Sequence, residues 1–112
     1  MSSISIRLFT DSTEETVVSL SNAIEAIEAE SWRKGNFLGF VNDLDETLQF
    51  IRAEQDEWLV DVPVYVEGKY AEYSMKGVAS TLQIKQIVTL FYEAGNWKQV
   101  VDLEDSRKYE RF

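Results

Sequence analysis

Hydrophobic and polar positions change period several times along this chain, and each change marks an element. Ile4, Ile6 and Leu8 alternate with Ser5, Arg7 and Phe9, which predicts a first strand. Asp11-Ser12-Thr13-Glu14-Glu15 then reads as a helix start, with Ser12 and Glu15 spaced for a capping box. Val17, Leu20, Ile24 and Ile27 recur at helical spacing and make one apolar stripe, with Glu25, Glu28 and Glu30 off it. Arg33 and Lys34 suit the negative end of a helix dipole, and Gly35 suits the left-handed position beyond its last turn.

The middle of the chain reads as strands. Asn36–Val41 and Thr47–Ala53 are predicted strands separated by the polar turn Asn42–Glu46. Gln55-Asp56-Glu57 makes the next turn. From Trp58 to Val66 the alternation is strict: Trp58, Val60, Val62, Val64 and Val66 share one face, and Leu59, Asp61, Pro63 and Tyr65 the other. Pro63 lacks an N–H, so this strand is expected to lie at an edge there or to carry a bulge. Glu67-Gly68 is the hairpin turn into a strand from Lys69 to Met75.

Ser80 or Thr81 is expected to cap a second helix, whose broad apolar face is Leu82, Ile84, Ile87, Val88, Leu90 and Phe91 and whose end is Gly95. Trp97–Leu103 reads as a last strand, and Asp105–Phe112 as a charged, short helical or frayed tail. The order β-α-β-β-β-β-α-β predicts one α+β domain over residues 1–112: a two-layer sandwich with a mostly antiparallel sheet of about five to six strands and two helices on one face.

The stretch Gly35–Glu46 is echoed by Gly95–Asp105. Both read Gly-Asn-aromatic, strand, then Asp-Leu-acid-acid, with Asn42 extra in the first copy. Each position also has its own local reason, since helices end on Gly and strands favour aromatics, so a duplication is the weaker reading.

Composition narrows the function classes. The 112 residues are 45% hydrophobic and 12% aromatic, enough to fill a core without disulfides or a structural metal. There is no His and no Cys, which removes the commonest proton-transfer group, the best ready-made nucleophile and most zinc designs. No apolar run approaches the ~18 residues of a membrane span. The first residues do not read as a secretory signal, and the cytosol is the default expectation.

Twenty Asp and Glu against eleven Lys and Arg give a net charge of −9. That disfavours nucleic acid as a partner and favours a protein with a basic surface, because opposite potentials steer encounter. The same charge also serves solubility alone.

Two carboxylates about 5–9 Å apart can hydrolyse glycosides, but a domain this small has little room for the cleft they need. Asp43-Leu44-Asp45 and Asp102-Leu103-Glu104 hold oxygen donors but lack the glycine and distal glutamate of a calcium loop. No enzyme activity, metal or cofactor is therefore expected.

The residues expected to bind a partner are the acids Asp43, Asp45, Glu46, Glu54, Asp56, Glu57 and Asp61, with Tyr65 and Tyr70 flanking the hairpin turn. Asp61 is the oddest of them, a charge between Val60 and Val62. Trp58 and Phe91 are better explained by the core. A homodimer through the strand edge near Pro63 is the alternative, and a small carboxylate-based enzyme or ligand-binding domain a lesser one.

Leu48-Gln49-Phe50-Ile51, the hairpin through Glu67-Gly68, and Ile87-Val88-Thr89-Leu90-Phe91-Tyr92-Glu93-Ala94-Gly95-Asn96-Trp97 carry a resemblance over about residues 36–105. In their cadence they resemble small acidic immunity proteins of bacterial polymorphic toxin systems. The resemblance implies an α+β fold and neutralisation of a toxin by covering its active site. It assigns no role to any single residue.

Overall fold

The computed structural model describes residues 5–10, 14–30, 37–43, 46–54, 56–66 and 70–105. The elements in order are β1 (Arg7–Thr10), β2 (Thr16–Val17), α1 (Leu20–Glu30), β3 (Phe37–Val41), β4 (Thr47–Glu54), β5 (Glu57–Val66), β6 (Tyr70–Ala79), α2 (Thr81–Tyr92), a 3-10 turn (Trp97–Gln99) and β7 (Glu104–Asp105). They form one antiparallel sheet in the order β2-β1-β3-β4-β5-β6-β7. This is the expected α+β architecture, with seven strands because both edges carry a two-residue strand.

Alternation decides which face is buried. Leu38 and Phe40, Leu48 and Phe50, and Trp58, Val60 and Val62 line up across β3, β4 and β5 and are all buried. Ala23 and Ile27 of α1 and Ile84, Ile87, Val88 and Phe91 of α2 close the same core. Fully burying an apolar side chain contributes about 1.5–3 kcal/mol. The ion pair between Lys85 and Glu28, at 2.8 Å and partly exposed, contributes roughly 0–1 kcal/mol. Packing, not charge, therefore holds the helices on the sheet.

The first helix starts later than its stripe suggests. Thr16 and Val17 pair with Leu8 and Arg7 as β2. Three consecutive β-branched residues, Thr16 to Val18, favour a strand over a helical turn. The cap is Ser19, whose Oγ accepts from the Asn22 amide at 3.1 Å. Glu15 instead accepts an ion pair from Arg7 at 3.0 Å. The expected partners Ser12, Arg33, Lys34 and Gly35 lie outside the described residues.

The second helix begins where the sequence places it. Ser80 accepts from Gln83 N–H at 3.2 Å, and the Gln83 side chain accepts from Ser80 N–H at 2.9 Å. At its end Ala94, not Gly95, takes the left-handed conformation, with φ 57°. Gly95 N–H then donates to Leu90 O at 2.8 Å. The left-handed cap thus falls one residue before the glycine.

The expected last strand, Trp97–Leu103, is not a strand. Residues 97–99 form the 3-10 turn, and pairing to β6 occurs only at 104–105. Trp97 is buried edge-on against Phe91, ring centroids 5.3 Å apart. Burying that ring outweighs the strand preference of Val100 and Val101.

β5 sits between β4 and β6, but at Pro63 it is locally an edge, as expected. Pairing with β4 ends at Asp61, and a register shift falls between Val64 and Tyr65. The missing N–H is tolerated because no β4 residue pairs with Pro63.

Candidate functional site

The expected binding residues do not form one cluster. The sheet runs as an antiparallel meander from β3 to β6, so successive turns alternate between its two ends. Asp43 and Glu46 lie at the β3–β4 turn, and Glu54, Asp56 and Glu57 at the β4–β5 turn. Eight residues of β4 separate them, roughly 23 Å at ~3.3 Å per residue. Tyr65 and Tyr70 pair near the far end of the β5–β6 hairpin, opposite Ala71 and Val66, and their side chains lie outside the described residues, as does Asp45. Only Asp61 falls in the body of the sheet.

Several of these acids are engaged within the fold. Asp43 accepts from Ser5 N–H at 3.1 Å. Glu46 and Asn42 close their turn reciprocally: Asn42 Nδ2 donates to Glu46 Oε1 at 2.8 Å, and Glu46 N–H donates to Asn42 Oδ1 at 3.0 Å. Asp56 accepts from Thr81 N–H at 2.9 Å and so holds the first turn of α2 against the β4–β5 turn. That backbone bond, then a side-chain bond to Thr81, holds the Asp56 carboxyl below its usual 3.8, with the nearby Arg52 charge as a lesser cause. Asn42, Asp43 and Glu46 also border a groove of about 480 Å³ against Gly95–Lys98. There the two echoed stretches meet.

Asp61 belongs to the face that neither helix covers. Leu59 pairs with Ile51 on one side and Val78 on the other, and Ile51 pairs with Phe37. These four side chains make one apolar row across β3 to β6, roughly 14 Å long at ~4.8 Å per strand. Ile51, Leu59 and Val78 are 37%, 44% and 53% exposed. The row continues toward β1, where the Phe9 ring stands 5.5 Å from Phe37 and covers Gly39. A cross-strand apolar row of this kind is more informative than the isolated exposed residues Val17 and Leu82.

Beside it runs a polar row: Gly39, Gln49, Asp61, Lys76 and Glu104 in register. Asp61 Oδ1 is sealed from solvent and accepts no hydrogen bond among the described residues. Leaving a buried acceptor unmade costs about 1–3 kcal/mol. Glu57, two residues from Leu59 on the same face, is exposed. The uncovered face therefore combines an apolar row with a rim of carboxylates. Charge alone marked Asp61 and Glu57. Ile51, Leu59 and Val78 were missed because a strand's second face is legible only once its covering layer is known.

Among the described residues no group of three or more acids is placed to hold a metal ion. No helix is long and apolar enough to cross a membrane among the described residues. The chain matches no protein-family model, and no curated protein or solved structure is significantly similar to it.

Proposed function

We propose that this chain is a non-enzymatic protein-binding domain whose uncovered sheet face receives a partner with a basic surface. The observation that carries this reading is the exposed row Ile51, Leu59 and Val78, bordered by Asp61 and Glu57 in a chain of net charge −9. Apolar contact supplies affinity at the centre of such a surface, and charge at its rim supplies steering and selection. Neutralisation of a basic toxin, as for an immunity protein, is the specific role proposed.

The test is association with the product of the adjacent gene. Binding is expected to be lost in Leu59→Arg and kept in Leu82→Arg, a more exposed position on α2. The association rate should fall as salt rises. Equal binding by both variants, or a salt-independent rate, sinks the proposal.

A homodimer is the second reading. It is favoured by β5 continuing past Asp61 without a β4 partner. Light scattering separates the two: a mass that stays monomeric as concentration rises removes the dimer. Two copies of charge −9 repel, which weighs toward a basic partner.

A further inference from the structure

We infer that the groove between the β3–β4 turn and the end of α2 receives an arginine side chain from a basic protein surface. It is a second contact surface, apart from the uncovered sheet face, and it stands without that face: Ile51, Leu59 and Val78 do not line it.

The groove encloses about 480 Å³. Its floor is apolar, formed by the buried rings of Phe91 and Trp97, packed edge-on. Its rim is reachable, since Asp43, Glu46, Ala94, Gly95, Asn96 and Lys98 are all exposed.

Three features make this groove attract a cation. Asp43 and Glu46 stand at the β3–β4 turn, each anchored through one oxygen. Asp43 Oδ2 accepts from Ser5 N–H, and Glu46 Oε1 accepts from Asn42 Nδ2. Among the described residues neither carboxylate has a further side-chain partner, so Asp43 Oδ1 and Glu46 Oε2 can each accept from a ligand. The second feature is the C-terminal end of α2, the negative end of a helix dipole, which reaches the groove at Phe91. Its last turn holds no basic side chain, and Glu93 follows as its cap. The third is the Trp97 ring. Lys98 Nζ stands 5.3 Å from its centroid, so the ring already draws an ammonium. Among the described residues Lys98 pairs with neither carboxylate, which leaves both available.

The combination selects a guanidinium. Its planar fork of five N–H donors can meet oxygens of two carboxylates at once, where an ammonium is a compact point charge. Its methylene stem suits an apolar floor. Arginine is also enriched among the side chains that anchor protein interfaces in pockets. The exposed rim admits a side chain standing on a larger surface, and the net charge of −9 steers a basic one toward it.

The experiment is NMR of the full chain titrated with blocked Gly-Arg-Gly, Gly-Lys-Gly and Gly-citrulline-Gly at about 0.15 M salt, where diffuse attraction is screened. Citrulline keeps the shape of arginine and removes its charge. The expected result is shifts at the Glu46 and Gly95–Lys98 amides and at the Trp97 indole N–H. The arginine peptide should bind at least tenfold more tightly than the citrulline peptide and about threefold more tightly than the lysine peptide. The double variant Asp43→Asn, Glu46→Gln keeps the acceptors used within the turn and should bind arginine at least tenfold more weakly, with its other amide positions unchanged. Equal binding of arginine and either comparison peptide, shifts centred elsewhere, undiminished binding by the double variant, or no binding at millimolar peptide overturns the inference. Leu59→Arg should leave this titration unchanged, so failure here and failure of the sheet-face reading are read separately.

Discussion

Trp58 donates its indole N–H to the Thr81 hydroxyl at 3.1 Å, joining a fully buried strand residue to the first residue of α2. Asp56 accepts from the backbone N–H of the same Thr81 at 2.9 Å. One threonine thus registers the second helix against the sheet from two directions. Replacing Thr81 by Val removes the acceptor and leaves the indole N–H unmade, at an expected cost of about 1–3 kcal/mol. Thr81→Ser keeps the hydroxyl and should recover most of it. Urea unfolding of both variants checks this, and equal loss in the two would show that the methyl group rather than the hydroxyl matters.

The pH limits follow from two groups. Asp56 has a depressed carboxyl, so its contribution is present above about pH 3.8 and is lost as pH falls through its lower folded value. Asp56→Asn should flatten the acid limb of stability. Tyr92 is half-buried, with its hydroxyl donating to Val18 O at 2.9 Å, and burial raises it from 10.0 to about 12. Its contribution is intact below pH 10 and lost as pH rises through about 12. Unfolding midpoints across pH, with Tyr92→Phe as the alkaline comparison, test both signs.

Gly39 is required by its neighbour, not by its backbone. A Cβ there would lie 2.2 to 2.6 Å from three carbons of the Phe9 ring. Gly39→Ala is expected to destabilise by about 1–3 kcal/mol, the usual range for overpacking. In a Phe9→Ala background the same change should cost far less. A double-mutant cycle measures the coupling, and additive effects would remove the steric explanation.

Ala94 holds a left-handed conformation, φ 57°, with a glycine immediately after it. The conformation costs an L-residue about 1–2 kcal/mol, and the extra freedom of an unfolded glycine offsets about 0.4–1 of that. Ala94→Gly is therefore expected to raise stability by roughly 0.5–1 kcal/mol. A lowered melting temperature would contradict it.

Much of the fold is legible from period and caps. The alternation from Trp58 to Val62 identifies the buried face of β5, and the spacing of Ile84, Ile87, Val88 and Phe91 identifies that of α2. Ser80 announces the helix it caps. The misreadings share a cause. At Thr16–Val17 and at Trp97–Leu103, two local preferences compete, and tertiary contact chooses between them: β1 captures the former, and Phe91 captures Trp97.

The candidate site was far less legible. The acid excess belongs to the sequence, yet the acids divide between opposite ends of β4 because an antiparallel meander sends consecutive turns in opposite directions. Asp56 and Glu46 are partly committed to turns.

By itself the sequence determined most of the element types, most of the core and the −9 charge, because these depend on residue identity and on short-range spacing. Only the tertiary structure decided that Phe37, Ile51, Leu59 and Val78 form a row and that β7 pairs with β6 at Met75 and Lys76. Those relationships join residues far apart in the chain. Strand order and register set them, and no local spacing encodes either.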